Sequence, residues 1–316
     1  MLTSHLINGI LSMPPLAKLA KQQARSMMIN RAEAMGVPWR QTVQALRSRQ
    51  SDNTDDANTQ LGEAQWATEL AQIQASKVTY PDYYLASFHA YDEGNMGWTP
   101  AMEVEVAALA VHARIWPEAG IHGDARLRQR YHDVLRSQLP DALDNIVDIG
   151  CGVGMSTAAL QATFPSAQMT GVDLSPYFLA IAHYQERHRQ RNADTKKTQW
   201  IHAAAENTQL PAHTYDLVSA CLVVHELPQS AAHNILAETR RLLRPDGHVA
   251  LMDMNPQCET FATMPPFVFT LLKSTEPYLD DYLNLDLEQV IYDAGFHMPS
   301  VSCNSPRHRT LVAKVR

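Results

Sequence analysis

The chain has 316 residues, with 33 acidic against 26 basic side chains and a formal charge of −7. That length exceeds the ~100–200 residues expected of one domain, and an acidic chain without a basic, aromatic-interleaved patch argues against a nucleic-acid substrate. Cys151, Cys221, Cys258 and Cys303 stand far apart with no CxxC pairing, so neither a zinc site nor a disulfide framework is expected and a reducing, cytoplasmic setting is the default. No stretch approaches the ~18 consecutive apolar residues of a membrane span, and Met1 to Met13 lack the charged start and cleavage pattern of a secretory signal. Residues 1–50 read as an α-helical N-terminal extension. Its first 32 positions hold no acid but carry Lys18, Lys21, Arg25 and Arg31, with Leu16, Leu19 and Met27 at roughly helical spacing. A helix packed on the domain is the expectation, with an organellar segment or a membrane-surface helix as the alternative. Residues 51–60 are polar and aperiodic, an exposed linker. Residues 61–140 read as a helical lid or substrate segment, in which Thr99 and Pro100 open a helix running toward His112. Just before it, Phe88 to Trp98 concentrate Tyr91, Asp92, Glu93, Asn95 and Trp98. Such a density of hydrogen-bonding and aromatic groups suits a substrate site; the alternative is a loop stapled down by Trp98 and Tyr91.

From residue 141 onward the pattern changes. An apolar strand, Asn145 to Ile149, enters the run Asp148-Ile149-Gly150-Cys151-Gly152-Val153-Gly154, and a helix starts near Met155. The glycines let the backbone pass close to a ligand with no Cβ in the way. A second strand, Gln168 to Val172, delivers Asp173, 23 positions after Gly150, where an acid accepts hydrogen bonds from two ribose hydroxyls. A dinucleotide fingerprint runs G-x-G-x-x-G against a pyrophosphate. Here the third glycine comes one position early and Met155 takes the fingerprint's place. Asp148, two residues before the first glycine, repels a pyrophosphate and suits the ammonium of a methionine moiety. These features favour S-adenosylmethionine over NAD. Asp173 has a second reading, as cap of a helix starting at Ser175-Pro176.

Three further stations follow in order: Gly171 to Ser175; Ala204-Ala205-Glu206-Asn207 before Leu210-Pro211; and Tyr215 to Val218 with Leu243 to His248. With the glycine loop, they make residues 141–316 resemble the class I S-adenosylmethionine-dependent methyltransferases of small-molecule type, a group that includes the ubiquinone/menaquinone-biosynthesis enzymes. The resemblance implies an α/β fold: a Rossmann-like, seven-stranded doubly wound sheet, closed by an antiparallel hairpin of residues 297–303 and 309–315. It also implies that Asp148 and Gly150 sit beside the methionine end, Gly152 and Gly154 bind the cofactor with them, Asp173 holds the ribose, Leu174 flanks the adenine, Ala205 and Glu206 approach the adenine edge, and Leu222 packs beneath the cofactor. A plain surface loop is the alternative at Glu206. In this family the segment before the glycine loop commonly folds over the cofactor.

Candidate chemistry lies after the fourth strand, where His225 and Glu226 are topologically placed to face an acceptor. His225 is the choice for a base, if the reaction needs one; otherwise it shapes the pocket or caps the next helix. Tyr91, with Asp92 or Glu93, could stabilise the cationic donor or orient the acceptor. Strand five, Gly247 to Met252, precedes an apolar run, Phe261 to Leu272, that either lines a pocket for a hydrophobic acceptor or is a helix buried on the sheet. Leu287 to Ala294 read as the last helix, stopped at Gly295. No metal is expected, since Asp253 and Glu226 lack ligand spacing. The reading is methyl transfer from S-adenosylmethionine to a small-molecule acceptor by in-line displacement. The rivals are a cofactor-binding protein without turnover and an NAD(P)-dependent oxidoreductase. The acceptor and the methylated atom are not legible.

Overall fold

The computed structural model describes residues 14–49, 59–89, 91–189 and 196–316. The expectations for residues 1–13, and for the linker apart from Thr59 and Gln60, lie outside the described residues. Helices α1 (Pro14–Ala34), α2 (Trp39–Ser48), α3 (Thr59–Ile73), α4 (Trp98–His112) and α5 (Gly123–Gln138) precede the first strand. Then come β1 (Asn145–Ile149), α6 (Met155–Thr163), β2 (Gln168–Asp173), α7 (Pro176–Arg189), β3 (Gln199–His202), β4 (Tyr215–Cys221), α8 (Gln229–Leu242) and β5 (Leu243–Met254). Short helices α9 (Glu259–Ala262), α10 (Pro266–Thr275), α11 (Leu279–Leu283) and α12 (Leu287–Asp293) lead to β6 (Ser300–Cys303) and β7 (His308–Lys314).

The seven strands pair in the order β3-β2-β1-β4-β5-β7-β6, parallel from β3 to β5 and antiparallel at β7. Parallel strands covered on both faces read as near-continuous apolar runs, and the alternation of their side chains sorts the layers. Val147 and Ile149 of β1 join Leu236 of α8 and Ile291 of α12 on one face. Ile146 joins Leu127, Tyr131 and Leu135 of α5 and Leu160 of α6 on the other. Helix α5 is therefore a layer of the sandwich. The other N-terminal helices share a third core with the cofactor side: Ile29, Trp39, Trp66 and Val106 pack with Val153 of the glycine loop and with Phe178 and Ile181 of α7. In α1, Ile29 and Ala32 are buried and Arg25 pairs with Glu103 of α4, as expected of a helix packed on the domain, while Met27 stays exposed.

Strand order runs away in both directions from the β1/β4 pair, so the crevice for a ligand opens at the carboxyl ends of these strands. Small departures from the sequence expectation have local causes. Helix α4 starts at Trp98 with Gly97 at its cap, and no side chain caps it, Thr99 included. β5 begins at Leu243 rather than Gly247 because the pairing with β4 continues past an irregularity at Tyr215/Leu217. The run Phe261 to Leu272 is broken between α9 and α10 by Met264-Pro265, and Val268 is exposed.

Candidate active site

The strand β1 turn is fixed by its glycines. Gly150 has φ 65°, a region costly for any residue with a side chain, and a Cβ there would stand 2.5 Å from Val223 Cγ2. The backbone thus passes against the β4 loop with nothing between. Asp173, at the end of β2, accepts from Gly152 N–H on Oδ2 and from Ser175 N–H on Oδ1, both at 2.8 Å. It ties the glycine loop to the start of α7, so the ribose and cap readings are compatible. Burial pushes its carboxyl up to about 6, against the Ser175, Gly152 and Leu174 N–H groups and the Tyr84 hydroxyl.

Asp148 is buried beneath the loop. Its Oδ2 accepts from Ser156 and Thr157 hydroxyls at 2.6 Å each, whereas its Oδ1 is buried with no partner among the described residues. Burial pushes this carboxyl up to about 6, with Ser156, Thr157 and Arg128 pulling it down. Arg128 reaches in from α5. Its Nε donates to Asp124 Oδ2 at 2.9 Å, while Nη1 and Nη2 meet only sulfur, Cys221 Sγ at 3.7 Å and Met155 Sδ at 3.9 Å. Asp124 is itself gripped by His112 at 2.7 Å, and despite burial these two partners hold its carboxyl down at about 2.

At the other end of the crevice, Leu174 is buried and its carbonyl accepts from His202 Nε2 at 3.1 Å. Glu206 Oε1 accepts from the Tyr83 hydroxyl at 2.5 Å, and its Oε2 is buried without a partner among the described residues. Ala205 packs at the core's edge beside it. Leu222, just past β4, sits at φ 61° with its N–H on Met252 O at 2.7 Å. A leucine in that region is strained backbone, at the carboxyl end of the central strands.

Above β4 and β5 lies a cluster of titratable groups from four segments. His225 Nδ1 is 2.7 Å from Asp253 Oδ1, and Asp253 Oδ2 accepts from the Val224 N–H at 2.8 Å. Burial alone lowers the His225 imidazolium, but Asp253, with Glu226 and Glu276 nearby, lifts it to about 10. Burial pushes Glu226 up to about 7, against the pull of His89 and His225. His89 Nε2 stands 2.8 Å from Glu276 Oε1 and 3.8 Å from Glu226 Oε1. The segment around residues 80–98 closes over this region: Tyr84 faces both Asp173 and Glu226, and the Ser175 hydroxyl donates to Asn95 O at 2.7 Å. Tyr91 is turned elsewhere, its hydroxyl donating to Glu103 Oε2 at 2.7 Å. Among the described residues no group of three or more His, Cys, Asp or Glu could hold a metal ion.

Residues 146–247 match the family described as a methyltransferase domain. An uncharacterized methyltransferase of Synechocystis is 25% identical over 169 residues, covering 53% of this chain and 74% of that protein. A trans-aconitate 2-methyltransferase of Azoarcus is 34% identical over 128 residues, 40% of this chain, and this chain spans 46% of its length. Residues 146–247 thus form a methyltransferase domain, similar to S-adenosylmethionine-dependent methyltransferases. Among solved structures, phosphoethanolamine N-methyltransferase 2 of Haemonchus contortus in complex with S-adenosyl-L-methionine aligns at 16% identity and TM-score 0.48, covering 59% of this chain and 52% of that one.

Of the residues gathered at the crevice, Arg128, Tyr84, His89 and Glu276 are not among the candidates the sequence offers, and Asp253 enters there only as a metal ligand set aside. Tyr84 and His89 stand in the aromatic stretch already singled out. Arg128 and Glu276 carry no local signal, since each reaches the crevice from a helix whose pattern is otherwise ordinary.

Proposed function

We propose that this methyltransferase moves the methyl group of S-adenosylmethionine to a small-molecule acceptor by in-line displacement. The observation that carries the reading is a pair of buried carboxylate oxygens without partners among the described residues, Asp148 Oδ1 at the end of β1 and Glu206 Oε2 after β3, on the carboxyl-end side of the parallel strands. A buried acceptor left unmade is costly, and this cofactor offers a donor at each end: the methionine ammonium for Asp148 and the adenine amino group for Glu206. Arg128 stands beside Asp148 to receive the methionine carboxylate, so the two residues form a cradle for a zwitterion. Asp173 holds the ribose, with Leu174 and Leu222 as apolar walls. When bound, the cofactor supplies a methyl group on a cationic sulfur that is itself a strong electrophile, and the chain's task is alignment.

For proton handling, His225 already carries its proton at neutral pH, held there by Asp253, so Glu226 is the group poised to accept one. Tyr91 supports the lid through Glu103 and Arg25. The acidic balance of the chain supports a small acceptor over nucleic acid, and four free cysteines support a reducing compartment such as the cytoplasm. No helix among the described residues is long and apolar enough to cross a membrane. Calorimetric titration with S-adenosylmethionine, S-adenosylhomocysteine and NADH tests the cofactor assignment. Micromolar binding of the first two, lost in Asp173→Ala, is expected; binding of NADH alone would overturn it.

A further inference from the structure

Above β4 and β5 carboxylates outnumber imidazoles, and Glu276 Oε2 is buried without a donor among the described residues. Glu226 enters from the loop after β4, Glu276 from the end of α10 and His89 from the lid segment, where its own N–H donates to Thr275 O at 3.0 Å. Glu276 is 8% exposed, yet its Oε2 is buried and has no partner among the described residues. Glu226, a quarter exposed at the side chain, meets His89 only at 3.8 Å, beyond hydrogen-bond reach. With Asp253 there are three carboxylates against two imidazoles, His89 and His225, which leaves one negative charge when Glu226 is ionised.

We propose that this cluster takes a primary or secondary amine, which enters as its ammonium between Glu226 and Glu276. The inference rests on the methyl-transfer reading above and names its acceptor class. An ammonium supplies what the cluster lacks: one positive charge and several N–H donors in different directions. A phenol or thiol brings one donor and no charge. A carboxylate would bring a further negative charge and no donor. The ammonium proton passes to the Glu226 carboxylate, which becomes a carboxylic acid, and the nitrogen lone pair is freed. That pair forms the N–C bond while the C–S bond breaks with its electrons going to sulfur.

The test uses the full chain loaded with S-adenosylhomocysteine, so that binding is read apart from turnover. Benzylamine and n-butylamine are titrated against benzoate, butyrate and phenol by ligand-observed NMR. The amines are expected to bind, and Glu276→Gln and Glu226→Gln each to weaken them by about tenfold or more, while S-adenosylhomocysteine affinity stays within about twofold, showing that both variants fold. Tighter binding of the carboxylates or phenol, no binding of either amine, or amine binding unaltered in both variants overturns the amine assignment and leaves the cofactor reading standing. Failure of the wild-type chain to bind S-adenosylhomocysteine removes the cofactor reading itself, and the amine proposal with it.

Discussion

Asp148 and Asp173 share an uncommon condition, since burial raises both carboxyls to about 6. A cationic or hydroxyl-bearing ligand needs them ionised, so binding must expel whatever proton they hold. Cofactor affinity should therefore be full above about pH 7 and fall as pH drops through 6, by about tenfold per pH unit for each carboxyl involved. Calorimetry between pH 5 and 8, in buffers of different ionisation enthalpy, reads both the affinity and the released proton. Arg128 gives a sharper local test. If its guanidinium receives the methionine carboxylate, Arg128→Gln weakens S-adenosylhomocysteine by about 10–100-fold, or about 1.4–2.7 kcal/mol. Methylthioadenosine, which has no amino-acid end, should bind the variant and the wild type alike; an equal loss for both ligands would assign Arg128 to packing.

At the scale of elements, the turn between β1 and α6 is tightly constrained, with three glycines at positive φ. Gly150→Ala combines a left-handed backbone with a Cβ driven into Val223, so a loss of at least about 1–2 kcal/mol is expected, together with loss of cofactor binding. Thermal unfolding with and without S-adenosylhomocysteine separates the two effects, and a variant with wild-type affinity would show that the loop has room to shift. This element was readable in the sequence because its chemistry is local: an apolar strand, glycines at fixed offsets, and an acid after the next strand. The same holds for the final helix, where the Asp286 side chain accepts from Gln289 N–H and Gly295 at φ 98° ends the run. The acceptor cluster was only half readable. His225 and Glu226 follow from topology, but His89 and Glu276 meet Glu226 across 137 and 50 positions of chain, a juxtaposition no local pattern encodes. The titration behaviour of His225 was likewise hidden, because it depends on Asp253 beside it rather than on the histidine's own neighbours.

For the whole molecule, the N-terminal helices and the cofactor loop stand or fall together. Ile29, Trp39 and Val43 of α1 and α2 are buried in the core that also holds Val153 and Phe178, and Arg49 is stacked 4.5 Å over Trp66 and 4.4 Å over Tyr184. Each large buried side chain is worth about 1.5–3 kcal/mol, against a net stability of only about 5–15 kcal/mol for a typical protein. A chain beginning at Thr59 should consequently unfold at lower temperature and lose cofactor affinity, even though the sheet remains whole. Comparison of its melting curve and its S-adenosylhomocysteine titration with those of the full chain checks this; unchanged affinity would make the helices a separable appendage.

Tyr84 stands close enough to Asp173 to help pull its carboxyl down against burial, and Asp173 is the carboxylate proposed for the ribose. If Asp173 holds the ribose, the tyrosine stands where a ribose hydroxyl would arrive, and turnover would exchange one hydroxyl for the other. Such a device trades grip for pace. Tyr84→Phe should retain S-adenosylhomocysteine longer, with the dissociation rate in stopped-flow measurements slowed by about tenfold, the worth of one hydrogen bond to a charged group; a dissociation rate that does not fall would mean the hydroxyl helps to hold the ligand instead.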